Sequence, residues 1–132
     1  RLKESLLVAF FLGGIVVFGP FQTWWLKPLL VSLGDAALFL GASALTAVTD
    51  NAALTYLGSQ VEGLAETAKI ALVGGALAGG GLTVIANAPN PAGYSILQSR
   101  FPGKEINPLQ LLTGALLPTL IAMACLWWLP SL

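Results

Sequence analysis

The stretch Ala86-Asn87-Ala88-Pro89-Asn90-Pro91-Ala92-Gly93 cannot lie inside a regular helix. Yet it follows directly on an apolar, glycine-laden run over residues 69–85 that is long enough to cross most of a bilayer. Each proline removes a backbone donor and clashes with the preceding turn, and the residue before a proline is pushed out of the helical region. In hydrocarbon, the backbone groups so released persist unpaired only at high cost, so broken backbone survives where protein or a water-filled cavity satisfies it. A helix interrupted by asparagines at membrane depth is therefore a candidate ion or substrate site.

Of the 132 residues, 56% are hydrophobic and 9% are charged, against about a quarter charged in soluble domains. With a mean hydropathy of +0.82, this is the composition of an all-α integral membrane protein whose main partner is the lipid bilayer. A net charge of zero argues against nucleic acid as a partner. There is no histidine, and the one cysteine, Cys125, stands in an apolar run beside Trp127 and Trp128. It reads as a small packed hydrophobe rather than a disulfide or metal ligand. The chain opens on Arg1 rather than Met, which is the expectation for a piece of something longer. No signal peptide is evident, because the first apolar run ends in Gly-Pro-Phe and a tryptophan pair.

The order of elements follows from the apolar runs. Residues 5–21 form a first helix near the lower length limit for a span, closed by Gly19-Pro20. Trp24, Trp25 and Lys27 then suit the headgroup layer. Residues 34–57 are apolar but interrupted by Thr46, Thr49, Asp50, Asn51 and Thr55. Two structures fit: a single span carrying an intramembrane aspartate, or a re-entrant helical hairpin over 34–64 with its tip at Thr49-Asp50-Asn51. Each hairpin arm would be about 22 Å long, too short for a hydrocarbon core of about 30 Å. Asp50 or Asn51 would cap the second arm, and Asp35 would cap the first. With a hairpin, Arg1, Lys3, Arg100 and Lys104 share one side, and Lys27 and Lys69 lie opposite; with a full span the cations divide evenly. The excess of cations on cytoplasmic loops prefers the hairpin, with a cytoplasmic N-terminus. Residues 69–98 then form a discontinuous helix, and 108–129 a final span kinked at Pro118 and ending in a second aromatic belt.

If the tip and the break both lie near the midplane, they face each other. Carbonyls of the break, with the side-chain oxygens of Asn87 and Asn90, can replace the hydration shell of a hard monovalent cation. Thr49, Asn51 and above all Asp50 complete the candidate sodium/proton site. Burial penalises an ionised carboxylate, so cation and proton compete for it. An antiporter needs such a group, open alternately to each side. The bland alternatives are that Asp50 only caps a helix and that Asn87 and Asn90 only form turns. A carboxylate at the bilayer centre costs at least about 2.5–3.5 kcal/mol, however, and serine or threonine would cap without it. Thr46, Thr55, Thr83 and Ser95 read as helix hydroxyls bonding back to carbonyls, and Tyr56 and Tyr94 as packing aromatics.

The tip Thr49-Asp50-Asn51-Ala52-Ala53-Leu54-Thr55 resembles the hairpin-tip motif of the ion transporter superfamily, which holds NhaD-type sodium/proton antiporters, arsenite permeases and sodium–dicarboxylate symporters. The symporters read Ser-Asn-Thr there, whereas the antiporter and arsenite branches more often carry Asp-Asn, as at Asp50-Asn51. Ala86-Asn87-Ala88-Pro89-Asn90 is similar to the Ala-Thr-Pro-Pro-Asn loop that breaks a later helix in the symporters, with Asn87 where their threonine stands. The resemblance is nearest to the C-terminal part of the bacterial family named "putative sodium/proton antiporters". It spans roughly residues 34–100. It implies an outward-side hairpin, a broken helix, a sodium site shared between them, and a fold that is one half of an inverted-repeat transporter in a bacterial inner membrane. An N-terminal half of the same protein, with the other half-site, would lie outside this chain. The fragment alone would not transport, and a homodimer is compatible with the pattern.

Sodium/proton exchange at Asp50 is the leading reading, with sodium as the transported or coupling ion and no other cofactor. Sodium-coupled uptake of an organic anion, or arsenite-type extrusion, is the runner-up. An anion about 5 Å from Asp50 would feel roughly 3 kcal/mol of repulsion at an effective dielectric of 20, and no Arg or Lys lies near either motif to offset it. A non-transporting membrane subunit is the third. An enzyme is not expected, since there is no histidine, no paired carboxylate at useful spacing and no base beside Ser59 or Ser95.

Overall fold

The computed structural model describes residues 2–87 and 89–128, with the side chains of Glu4 and Lys104 set apart. Arg1, Ala88 and the expected helix end at residue 129 lie outside the described residues, as do Pro130 and the charge of Lys104. All regular structure among the described residues is helical.

Helix α1 (Leu2–Phe18) runs through one 3-10 turn (Gly19–Gln22) into α2 (Thr23–Ser32). The sequence reading ended this helix at residue 21. Pro20 instead stands in the first turn of the 3-10 segment, where its missing N–H leaves nothing unpaired. The Thr23 hydroxyl then donates to the Pro20 carbonyl at 3.0 Å, and the Trp25 indole donates to Gln22 Oε1 at 2.9 Å, carrying the chain onward. The resulting run, Ser5–Ser32, has 28 residues, about 42 Å at 1.5 Å per residue.

The run Ser5–Ser32 and the last helix, Pro108–Trp128, are both long and apolar enough to cross a membrane, and both are almost wholly exposed. A helix at the core of a soluble domain would be buried.

Between them lie three short helices: α3 (Asp35–Thr46), α4 (Asn51–Ser59) and α5 (Glu66–Gly79). At 1.5 Å per residue they are about 18, 14 and 21 Å long, each short of a hydrocarbon core of about 30 Å. Gly34, not Asp35, holds the N-cap place of α3; Asp35 sits in the first turn, where a negative charge complements the helix dipole.

The largest helix–helix interface joins α3 and α5. Gly75 meets Phe39, Gly79 meets Ser43 and Thr83 meets Ala47, so the two chains advance together and pack in parallel. The approach is backbone to backbone: a Cβ at Gly75 would strike the Phe39 carbonyl, and one at Gly79 the Ser43 carbonyl. The Ser43 hydroxyl bridges the pair, donating to Phe39 O at 2.9 Å and Gly75 O at 3.0 Å. Small residues allow this closeness in lipid, where no hydrophobic force draws helices together.

Helix α4 runs the other way along α5, with Asn51 beside Gly80 and Gly58 beside Leu72. The last two helices are α6 (Asn90–Leu97) and α7 (Pro108–Trp128). Helix α7 is also antiparallel to α5, since Leu126 lies on Gly74 and Thr119 on Gly81. A core of Leu26, Leu30, Leu38, Phe39, Val61, Leu64, Ala68 and Ala71 closes one end of the assembly. Trp127 packs edge-on against Phe39 there, with ring centroids 5.2 Å apart.

The α3–α4 turn and the segment after α5 therefore share one level at the opposite end of α3 and α5. That level is also the level of Thr119, near the middle of α7.

Gly79→Ala should destabilise the fold by roughly 2 kcal/mol, because a backbone carbonyl must move to admit the methyl group. Gly41→Ala, on an open part of α3 with nothing within 4 Å of the added Cβ, should be neutral or slightly stabilising. Thermal melts of the two purified variants in detergent measure the difference.

Candidate functional site

The first half of the site is the turn between α3 and α4. Asp50 is the N-cap of α4: its Oδ1 accepts from Ala52 N at 2.9 Å and Ala53 N at 3.1 Å. These are donors that a helix start leaves without intrahelical partners, and the carboxylate also faces the positive end of the helix dipole. Asp50 is 8% exposed, and its second oxygen, Oδ2, is buried with no hydrogen-bond partner. Capping thus uses one oxygen and leaves the other unused.

Four residues earlier, at the end of α3, stands Thr46, fully buried, whose Oγ1 is likewise without a partner. Sequence reasoning took it for a hydroxyl bonding back along its helix. Its spacing of four residues before Asp50 is the signal that could have joined the two. Thr55 and Ser95 do bond back, to Asn51 O at 2.9 Å and Ala92 O at 2.8 Å. Tyr56 packs its ring on Gly19, as expected of a packing aromatic.

The second half is the interruption after α5. The sequence reading carried that helix to Ile85, but it stops at Gly79, and residues 80–87 and 89 are irregular. Three consecutive glycines, Gly79-Gly80-Gly81, each lower helix stability by about 1 kcal/mol relative to alanine, so the helix ends before the prolines can end it. Pro89 and Pro91 serve instead at the start of α6, where no donor is needed.

The polar groups released by the break are taken up locally. Asn90 Nδ2 donates to Thr83 O at 3.0 Å and Gly80 O at 3.5 Å. Asn90 N donates to Asn87 O at 2.9 Å, and Leu82 N to Gly79 O at 3.1 Å.

The two halves touch. Asn51 N donates to Ala86 O at 3.1 Å, the Asn51 side chain lies 3.0 Å from where a Cβ on Gly80 would stand, and the Thr83 hydroxyl donates to Ala47 O at 2.6 Å. Of the five residues singled out from sequence, Asn51 is in the contact itself, and Asp50 stands next to it as the cap of α4. Asn90 reaches it through Gly80 and Thr83. Asn87 is half-buried, and its carbonyl accepts from Asn90 N within the break rather than from the tip. The Thr49 hydroxyl turns back to Leu45 O at 2.9 Å on an exposed residue.

The described residues are thus all helical where regular, with two helices long and apolar enough to cross a membrane. Residues 1–129 match the family described as "Putative Na+/H+ antiporter", and the chain belongs to that family. Its general role is therefore that of a membrane antiporter. No curated protein and no solved structure gives a match.

Asp50→Ser should raise the melting temperature. Serine keeps the cap and removes a buried oxygen whose lack of a partner costs about 1–3 kcal/mol. Thr49→Ala, at the exposed neighbour, should leave stability within about 0.5 kcal/mol of wild type. Denaturation curves of both variants in one detergent check the contrast.

Proposed function

We propose that the protein exchanges sodium for protons, with the two competing for Asp50 between the α3–α4 tip and the break after α5. The observation that carries this reading is the unpartnered, buried Asp50 Oδ2. A charged oxygen without a partner is expensive, and either a proton or a cation relieves the expense. A carrier that crosses readily only when so neutralised couples the two flows, because one group cannot hold both at once.

The Thr46 hydroxyl, Asn51 and the carbonyls of residues 80–87 supply the neutral oxygens that a hard monovalent cation takes. A re-entrant hairpin, entering and leaving on the Lys27 and Lys69 side, is supported by the short α3 and α4 and by the level of the tip midway along α7. It is supported too by the charges. Lys27 and Lys69 border the apolar core at one end, while Lys3 begins α1 and Arg100 precedes α7 at the other. The cytoplasmic side would then be that of Lys3 and Arg100. The resemblance to the NhaD-type and arsenite branches supports a second, inverted half that completes the site.

The test uses the intact protein in inverted membrane vesicles carrying a preformed pH gradient. Adding sodium should dissipate the gradient with wild type and leave it unchanged with Asp50→Asn. Equal responses from both would remove Asp50 from the mechanism. No response from wild type would turn the reading toward anion uptake or a non-transporting subunit.

A further inference from the structure

Thr83 does not behave as a helix threonine. Its hydroxyl leaves its own segment and donates at 2.6 Å to the carbonyl of Ala47, 36 residues away. Ala47 is the C-cap of α3, and its carbonyl belongs to the set that a helix end leaves without an intrahelical partner. Three residues beyond Thr83, the Ala86 carbonyl accepts from Asn51 N at 3.1 Å. The segment 83–86 therefore holds the tip at both of its ends, residue 47 by a side chain and residue 51 by backbone, and Asp50 lies between the two grips. Thr83 is itself braced, because its own carbonyl takes the Asn90 amide at 3.0 Å.

Of these links, only the Ala47 link is made by a side-chain hydroxyl from the break to the tip. Position 83 extends the α3–α5 register after Gly75 and Gly79, at the point where the helix has ended and a side chain must span the gap.

We infer that Thr83 is a positioning residue: by holding the Ala47 end of the turn, it fixes where Asp50 Oδ2 stands and so sets the affinity of the site for sodium. The inference rests on the proposed exchange at Asp50. Loss of the hydroxyl leaves the carboxylate present but displaced. A cation, which needs several oxygens at fixed distances, loses more than a proton, which needs one.

The experiment measures sodium-dependent dissipation of a pH gradient by the intact protein in inverted vesicles, over a range of sodium concentrations and pH, for wild type, Thr83→Val, Thr83→Ser, Asn90→Ala and Asp50→Asn. Thr83→Val should raise the sodium concentration for half-maximal response about tenfold, the equivalent of one buried hydrogen bond. Its maximal rate should stay within about a factor of two, since the carboxylate is unchanged. The acid limb of its pH profile should move to higher pH, because protons now compete better. Thr83→Ser, which keeps the donor, should restore both values. Asn90→Ala should shift them in the same direction by less.

Wild-type half-saturation in a folded Thr83→Val, with Asp50→Asn inert, overturns the positioning role and leaves the Asp50 reading standing. A fall in maximal rate at unchanged half-saturation overturns it as well. So does loss of folded protein in both Thr83→Val and Asn90→Ala, which would make the link a structural brace. Wild-type transport by Asp50→Asn overturns the underlying exchange reading, whatever Thr83 does.

Discussion

A chain that stops being helical in a buried place must find donors for the carbonyls it exposes, and this constraint shapes the protein. Helices α3 and α5 end beside each other, so the last carbonyls of one lie within reach of donors carried by the other. Ala47 O is met by Thr83 and Ala86 O by Asn51, while Asn90 serves the break itself. Neither buried interruption would be stable without such partners. The parallel packing at Gly75 and Gly79 brings them level, because backbone contact fixes the register to one alignment.

The same accounting leaves two atoms over. Among the described residues, Oδ2 of Asp50 and Oγ1 of Thr46 are buried and without partners. Native interiors pair nearly all such atoms, so these two orphans are a reservoir of unfavourable free energy. In the proposed exchange that reservoir has a use, since a monovalent cation and a proton are both small enough to enter a close junction of backbone.

Much of this was legible before any coordinates. The apolar runs mark the helices, and the polar residues at Thr49-Asp50-Asn51, Asn87 and Asn90 mark the neighbourhood of both interruptions, because lipid permits so few polar residues that each carries information. Residue type narrows the N-cap of α4 to Asp50 or Asn51, and the fold takes Asp50. What stayed hidden depended on tertiary partners. Pro20 looked like a terminator, yet a 3-10 turn carried the helix past it. The prolines at 89 and 91 drew attention away from Gly79-Gly80-Gly81, where the helix ends. The single letter Thr describes equally a hydroxyl folded back on its own helix, as at Thr55, one reaching across to Ala47, as at Thr83, and one left with nothing, as at Thr46. No local pattern separates these, since the difference lies in what stands opposite.

The seam between α3 and α5 also limits how the molecule can move. Where Gly75 and Gly79 meet the α3 backbone there is little side chain to re-pack, and a slip by one residue would drive a carbonyl into a Cβ. Both interruptions are thereby fastened to the same end of one helix pair. The seam with α7 is looser, for Leu77 and Gly81 form an open groove there with Pro118 and Ala122.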